Sequence, residues 1–297
     1  MPRFRWHYES FRDEPVRLQI PSWFRQRRHL LRHHCGPFSQ PLVPHLYAHR
    51  KWHHRCFQTP CDIFYFHGGG FILFRQNSMP FDELCRHLAG KLPAIVVSIN
   101  YRLAPEHRYP CQFEDGFDTL KFIDSNCSLL PPNADLSRCF FAGESAGANI
   151  AHHVTLKAAV HDFRKLKIVG LIAIQPYFGG EERTESERRL TKEPVVNVER
   201  TDWSWKALLP EGCDRDHEAV NVFGVWRAEI ERYFGFELPG DVVGCWRVRP
   251  VARLAEEIPR RVEEIWKRSL LGGVSERNPR FLSVSGVAGF YSVCYGG

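Results

Sequence analysis

The sequence predicts an α/β protein built on a doubly wound, mostly parallel sheet. Four short runs are apolar and are bounded by glycine or proline, which is typical of buried parallel strands because both of their faces are covered. Segments with helical spacing of apolar residues lie between these runs. The chain has 297 residues, 43% of them hydrophobic. It can therefore bury a sizeable core as one large domain or two small ones.

The predicted elements alternate along the middle of the chain. Residues 80–91 are expected to be helical because Pro80 stands at the start and Phe81, Leu84 and Leu88 share one face. Alternation of strand and helix places helices on both faces of a parallel sheet. The predicted strands are CDIFYFHGGG at 61–70, AIVVSIN at 94–100, RCFFAGES at 138–145 and KIVGLIAIQP at 167–176, and the other predicted helices are 112–123 and 146–160.

The alternation stops after Gly224, so the sheet is predicted to be incomplete at its C-terminal edge. An unpaired parallel edge would be exposed unless the remaining chain covers it. We divide the chain into a basic, His- and Arg-rich segment at 1–60, an α/β core at 61–224 and a third segment at 225–297. Short helices are expected in the third segment, and its last residues are expected to be a strand or a loose tail.

Residues 1–60 hold eleven Lys and Arg against three acids. The preferred interpretation of this segment is a poorly ordered basic extension. An organelle-import leader is the alternative, although three acids and few serines disfavour it. We expect no nucleic-acid partner.

The ten cysteines form no CxxC pair, and the chain does not open with a secretory leader pattern. The sequence therefore predicts reduced thiols in a cytoplasmic protein. No apolar window is long enough to span a bilayer. The many histidines before residue 61 lack the spacing of a zinc site, so no metal is expected.

The stretch Gly143-Glu144-Ser145-Ala146-Gly147 is a GxSxG motif between a predicted strand and a predicted helix. This is the setting of a nucleophile elbow, in which Ser145 would stand on a turn too tight for side chains at the two glycines. The motif alone is weak, because about one chain in ten of this length holds it by chance.

The second motif, His67-Gly68-Gly69-Gly70, follows a predicted strand and rarely arises by chance. Glycines let backbone N–H groups approach an oxyanion, and each such donor contributes about 3–4 kcal/mol in a transition state. We predict the amides of Gly69, Gly70 and Ala146 as oxyanion donors, with His67 and Gly68 supporting the loop.

Five strings in the middle of the chain are long and distinctive. They are HGGGF at 67–71, VVSINYRLAPEHRYP at 96–110, NADLSRCFFAGESAGANIAHH at 133–153, IQPYFGGEERTESE at 174–187 and DRDHEAVNVFG at 214–224. Together they resemble plant carboxylesterases of the hormone-sensitive-lipase-like group of α/β-hydrolases, over about residues 61–224. The resemblance implies an α/β-hydrolase fold, Ser145 as the nucleophile for small carboxylic esters, and no cofactor. The related gibberellin receptors lack a working triad, which implies the alternative of a non-catalytic protein that binds a small carboxylic acid or ester.

The family's strings for the triad acid and base are absent, and no histidine follows His217. His152 and His153 lie seven and eight residues after Ser145 on the same helix, roughly 10–12 Å along its axis and beyond the reach of a base. His67 is expected to brace the loop, His107 to pack in a loop, and His217 is the least implausible substitute. The triad acid and base are therefore unassigned, and ester hydrolysis is predicted to be weak or absent. The candidate acids are Asp202, Asp214, Asp216 and Asp241. Only their place late in the chain, after Ser145, favours any of them.

Overall fold

A computed structural model describes residues 61–222, except 76–77, 93, 185–186 and 189–195, and the backbone of three further strands. Its centre is a seven-stranded sheet with the strand order β1-β2-β4-β3-β5-β6-β7. The strands are β1 Val16–Leu18, β2 His45–Ala48, β3 Cys61–Phe66, β4 Ala94–Ile99, β5 Cys139–Glu144, β6 Ile168–Ile174 and β7 Val243–Arg247.

The four central strands are parallel, as the sequence predicts. Ile63 of β3 is in register with Val96 of β4 on one side and with Phe140 of β5 on the other. β5 in turn pairs with β6, where Phe141 faces Leu171. The four apolar runs therefore form adjacent strands, and the turns that follow β3 and β5 lie at the same edge of the sheet.

Antiparallel strands flank this parallel core on both sides. β7 pairs with β6 from Gly170 opposite Arg247 to Ile174 opposite Val243. The third segment of the chain thus covers the edge of β6, which the sequence left without a predicted partner strand. A strand at Val243–Arg247 was not predicted. On the other side, β2 pairs with β4 and β1 with β2, so two short strands from residues 1–60 extend the same sheet.

Helices cover both faces of the sheet. α1 (Met79–Lys91) buries Leu84 and Leu88 in a cluster with Ile63 and Tyr65 of β3. α2 (Cys111–Ser125) and α3 (Ala146–Ala159) pack on the opposite face with the side chains of β3 and β5 that point the other way. These three helices confirm the predicted ones to within two residues at each end. Within the described residues, no helix combines the length and apolar character needed to cross a bilayer.

A fourth helix, α4 (Val198–Leu208), was not predicted. Its sequence does carry helix signals, because Asn197 is a favourable N-cap and Lys206 stands in the last turn. The Asn197 side chain accepts a hydrogen bond from the Arg200 amide at 3.0 Å. This bond satisfies one of the N–H groups that a helix start leaves without an intrahelical partner.

Replacing Asn197 with alanine is expected to lower the free energy of unfolding by about 1 kcal/mol, because the cap acceptor is lost. Urea unfolding followed by circular dichroism measures the change. Asn197→Ser keeps a capping oxygen and serves as the matched control, so it should recover most of the loss. Equal losses in the two variants would show that the cap contributes nothing.

Candidate active site

Ser145 stands on a strained turn between β5 and α3. Its backbone has φ 53° and ψ −119°, a conformation that residues with a side chain rarely adopt and that costs about 1–3 kcal/mol. The chain after β6 holds this turn in place. The Ser145 amide donates to the Ile174 carbonyl at 2.9 Å, and the Tyr177 amide donates to the Ser145 carbonyl at 3.0 Å. The geometry is that of a nucleophile elbow.

The two glycines of the elbow are required by close backbone contacts. A Cβ on Gly143 would lie 2.3 Å from the carbonyl oxygen of Gly147. A Cβ on Gly147 would lie 2.1 Å from the carbonyl oxygen of Phe66 and 2.4 Å from that of His67. The start of α3 therefore packs directly against the end of β3, and this packing brings the two glycine motifs together.

The HGGG loop lies beside the elbow. A Cβ on Gly68 would lie 3.6 Å from the Ser145 Cβ and 3.1 Å from the Glu144 carbonyl oxygen. Gly69 and Gly70 have φ values of 116° and 61°, which suit glycine because it has no Cβ.

Three backbone N–H groups of the HGGG loop and the elbow are available as donors. Within the described residues, the amides of Gly69, Gly70 and Ala146 donate to no protein acceptor. Ala146 is also the first residue of α3, where the helix dipole favours negative charge. Such a group of amides can stabilise an oxyanion that forms on an ester bound at Ser145.

His67 contacts the loop through both its ring and its backbone. The buried ring stacks on Tyr101 with centroids 4.2 Å apart, and Nδ1 donates to the Gly68 carbonyl at 2.8 Å. The Tyr101 hydroxyl donates to the His67 carbonyl at 2.7 Å. Burial lowers the pKa of His67 to about 4, so the ring is neutral at pH 7. These contacts are those of a residue that supports the loop.

The other histidines considered as a base pack away from the nucleophile. His152 packs edge-on against Phe178 and His153 against Phe113. Burial lowers the pKa of His152 to about 4 and holds that of His153 well below its usual value.

His107 and His217 have loop-packing environments. Burial is the main cause of the lowered pKa of His107, and its amide donates to the Leu103 carbonyl. The Nδ1 atom of His217 accepts from the Ala219 amide at 3.1 Å. No hydrogen bond within the described residues joins the Ser145 hydroxyl to a histidine nitrogen.

The candidate acids that the structure describes have partners other than a histidine ring. Asp202 forms ion pairs with Arg183 at 2.5 Å and Arg215 at 3.5 Å. Hydrogen bonds from the Glu181 amide and the Asn221 side chain lower the pKa of Asp216. Asp214 is exposed and accepts from the Asp216 amide. Asp241 lies outside the described residues.

Three aromatic side chains, the aromatic wall of Phe71, Tyr177 and Trp205, pack together next to the elbow, and the sequence did not predict this group. Trp205 of α4 stacks on Tyr177 with ring centroids 4.1 Å apart, and Phe71 leans against both rings. A Cβ on Gly70 would lie 3.2 Å from the Ser204 hydroxyl, so α4 packs on the HGGG loop. The spacing of Trp205 and Leu208 behind the Asn197 cap was the signal that could have located this helix.

Exposed apolar side chains border the same loop. Leu73 and Phe74 follow the glycines and are 59% and 49% exposed, and Trp203 on α4 is 57% exposed. These three side chains provide apolar surface beside the loop, the buried rings of Phe71 and Trp205 pack behind it, and the amides of the loop provide polar donors. An apolar surface with a few convergent polar groups is typical of small-molecule sites.

Comparison with known proteins identifies the family. The family described as alpha/beta hydrolase fold matches residues 63–233, which is more than half of the chain. The chain belongs to the alpha/beta hydrolase family. An ester hydrolase from the metagenome of Lake Arreo has the same fold as this α/β hydrolase, with a TM-score of 0.51 and 28% identity over 63% of this chain and 58% of that enzyme.

Plant proteins of two kinds are similar to this α/β hydrolase. The gibberellin receptor GID1C of Arabidopsis thaliana is 44% identical over 192 residues, which are 63% of this chain and 54% of the receptor. Carboxylesterase 20 of Arabidopsis thaliana is 46% identical over 162 residues, which are 54% of this chain and 50% of the esterase. The chain spans about half the length of the curated relatives it matches.

Proposed function

We propose that this α/β hydrolase is a carboxylesterase-type serine hydrolase for small carboxylic esters. Ser145 is the nucleophile, and the amides of Gly69, Gly70 and Ala146 bind the oxyanion. The observation that carries the proposal is the strained Ser145 turn with φ 53° beside the HGGG loop. Strain of this kind persists where the surrounding structure holds a functional group in place. The similarity to plant carboxylesterases supports the same chemistry.

Turnover is proposed to be slow or absent, because no base is placed at Ser145 by the described residues. Loss of the base in a model serine protease lowers kcat by about 10⁶, which corresponds to about 8 kcal/mol. Oxyanion binding and substrate binding alone still accelerate the reaction by about 10³–10⁴ over the uncatalysed reaction in water. In this proposal the amides of Gly69, Gly70 and Ala146 contribute the oxyanion binding. Any acylation by reactive esters should therefore be slow.

Labelling with a fluorophosphonate probe tests the nucleophile. If Ser145 acts as proposed, the folded chain takes up the probe slowly and releases p-nitrophenol slowly from short acyl esters. Ser145→Ala should abolish both signals because the attacking oxygen is gone. Ser125→Ala, at the exposed end of α2, is the control and should label like the wild type. Undiminished labelling of the Ser145→Ala variant would reject Ser145 as the nucleophile.

The second candidate function is non-catalytic binding of a small carboxylic acid or ester. The similarity to the gibberellin receptor of Arabidopsis thaliana favours it, together with the exposed apolar side chains around the loop. Calorimetric titration of the folded Ser145→Ala variant with a gibberellin tests this function without interference from hydrolysis. Saturable heat is expected if the protein binds such ligands, and a flat titration would eliminate gibberellin binding.

The cellular setting is also a proposal. We place the protein in the cytoplasm because its cysteines form no paired pattern, and because six of them are free thiols within the described residues. The division at residues 60 and 224 is likewise proposed from the sequence. Partners are expected to be small molecules.

A further inference from the structure

Two nucleophilic side chains meet on the surface, in residues that the proposed ester chemistry does not use. Cys127 opens the short 3-10 turn Cys127–Leu129 that follows α2. Lys165 lies in the loop between α3 and β6. The Lys165 Nζ donates a hydrogen bond to the Cys127 Sγ at 2.8 Å. The contact joins residues that are 38 positions apart in the chain.

Backbone hydrogen bonds fix both sides of this contact. The Asp124 carboxylate, near the end of α2, accepts from the amides of Arg164, Lys165 and Leu166 at 2.8–2.9 Å. The amide of Leu130 donates to the Cys127 carbonyl at 3.0 Å and closes the turn. The fold therefore holds the two backbone segments that carry the amine and the sulfur close to each other.

The amine and the sulfur interact electrostatically, and both are accessible from solvent. The hydrogen bond to Cys127, followed by the charge of its sulfur, raises the pKa of the Lys165 ammonium. The Asp124 carboxylate acts on Lys165 in the same direction. The Lys165 ammonium lies in hydrogen-bond contact with the sulfur, and the thiolate is the form of a cysteine that reacts with peroxides and electrophiles. Cys127 is partly exposed and Lys165 is exposed, so a small oxidant can reach them.

Other thiols of the described residues have a different environment. Burial raises the pKa of Cys61 to about 12 and also raises those of Cys85 and Cys139, so these thiols stay protonated and shielded. Cys213 is exposed, but no lysine amine contacts its sulfur within the described residues. Cys127 is thus distinguished by a cation, and Cys213 is its natural control.

We propose that Cys127 and Lys165 form a peroxide-responsive pair that closes into a covalent sulfenamide, an S–N bond between the turn after α2 and the loop before β6. In the first step the thiolate attacks hydrogen peroxide, an S–O bond forms and the O–O bond breaks. The Lys165 ammonium gives its proton to the leaving hydroxide, which departs as water. The products are a sulfenic acid at Cys127 and a neutral amine beside it.

In the second step the Lys165 amine attacks the sulfur. An S–N bond forms, the S–O bond breaks, and the hydroxide leaves as a second water with a proton from the nitrogen. The sum is one thiolate, one ammonium and one peroxide giving one sulfenamide and two waters. The 2.8 Å separation of nitrogen and sulfur is within the range of a reactive contact.

The cross-link would enclose the segment that carries the elbow. Residues between Cys127 and Lys165 include β5, Ser145 and α3. Closing this loop restricts the unfolded chain and is expected to raise Tm by a few degrees. The bond should open again with a thiol reductant, since sulfenic acid derivatives of this type are reversible.

Mass spectrometry of the peroxide-treated full-length protein tests the proposal. The expected result is a loss of about 2 Da from the intact mass, reversed by dithiothreitol, with one tryptic species that links the peptides of Cys127 and Lys165. Trypsin should no longer cleave after Lys165. An unchanged mass, a disulfide as the source of the loss, or a gain of about 14 Da with oxygen kept between sulfur and nitrogen would overturn the assignment.

Two variants distinguish the two roles of Lys165, which are to promote the oxidation of Cys127 and to form the bond to its sulfur. Lys165→Arg keeps the positive charge but has no primary amine, so Cys127 should be oxidised and trapped by dimedone without a cross-link. Lys165→Met should lower the dimedone labelling rate at Cys127 by about tenfold and leave the rate at Cys213 unchanged. Equal rates at Cys127 in wild type and Lys165→Met would overturn the role of the lysine. Circular dichroism confirms that each variant is folded.

Discussion

Replacing Arg102 with methionine is expected to lower the free energy of unfolding by about 3–5 kcal/mol at pH 7, because it leaves a buried carboxylate without its cation. The Asp115 side chain is 1% exposed and that of Arg102 is 8% exposed. Asp115 accepts from the Arg102 amide at 2.8 Å, from Nη2 at 2.6 Å and from Nε at 3.0 Å. This pair ties α2 to the chain that leaves β4.

The pH dependence of the Arg102→Met variant follows from the same contacts. Burial raises the pKa of Asp115, and the hydrogen bonds and charge of Arg102 oppose that rise. Without the guanidinium the folded state favours the protonated carboxyl more strongly. The deficit of the variant should therefore shrink as the pH falls, because Asp115 can then take up a proton in the folded protein.

A surface ion pair provides the control for Arg102. Arg86 and Asp82 lie 2.8 Å apart on α1, with side chains 31% and 19% exposed. Arg86→Met should cost less than about 1 kcal/mol, since exposed pairs contribute little. Urea unfolding at pH 7 and pH 5 measures both variants. Similar losses at the two sites would contradict a special role for the buried pair.

Replacing Asp62 with asparagine is expected to stabilise the protein at pH 8 by about 4 kcal/mol, since each pKa unit corresponds to about 1.4 kcal/mol. Asp62 is fully buried in β3, in register with Ile95 of β4 and Cys139 of β5. Burial raises its pKa from 3.8 to about 7, against an opposing effect of the Asp135 amide. Below about pH 7 the folded protein therefore holds the carboxyl protonated, whereas at pH 8 the folded state must carry a buried carboxylate.

The raised pKa of Asp62 determines the pH range in which the Asp62→Asn substitution stabilises the protein. A carboxyl with a raised folded-state pKa contributes stability below its unfolded pKa, and this contribution is lost as the pH rises towards 7. Asparagine does not ionise, so the advantage of Asp62→Asn should be small near pH 4 and grow up to about pH 7. Urea unfolding across this range measures it. Asp118→Asn on α2 is the surface control, and a gain for Asp62→Asn that is independent of pH would refute the titration.

Local sequence signals were sufficient for the parallel core and for the two motifs at its edge. Continuous apolar runs bounded by glycine or proline located β3, β4, β5 and β6, because strands covered on both faces need no alternation. The spacing of Gly143 and Gly147 predicted the tight turn, since a Cβ at either position would meet backbone atoms. Both motifs follow strands of one parallel sheet, so their proximity at one edge could also be foreseen.

Other features of the site could not be predicted from local sequence signals. The aromatic wall of Phe71, Tyr177 and Trp205 joins residues from three separate segments, and none of them has a local pattern that names its neighbour. The histidines after Ser145 could be placed on α3 from helix geometry. Their burial, and hence the direction of their pKa shifts, depends on the aromatic rings packed against them.

The sequence by itself determined the order of the central strands and helices along the chain and the positions of the GxSxG and HGGG motifs, because periodicity and glycine spacing act over a few residues. Only the tertiary structure decided that β7 would pair with β6, that α4 would pack on the HGGG loop, and that Arg102 would meet Asp115 and Lys165 would meet Cys127. These contacts join distant parts of the chain. Their formation depends on burial and packing in the whole fold, which no short stretch of sequence encodes.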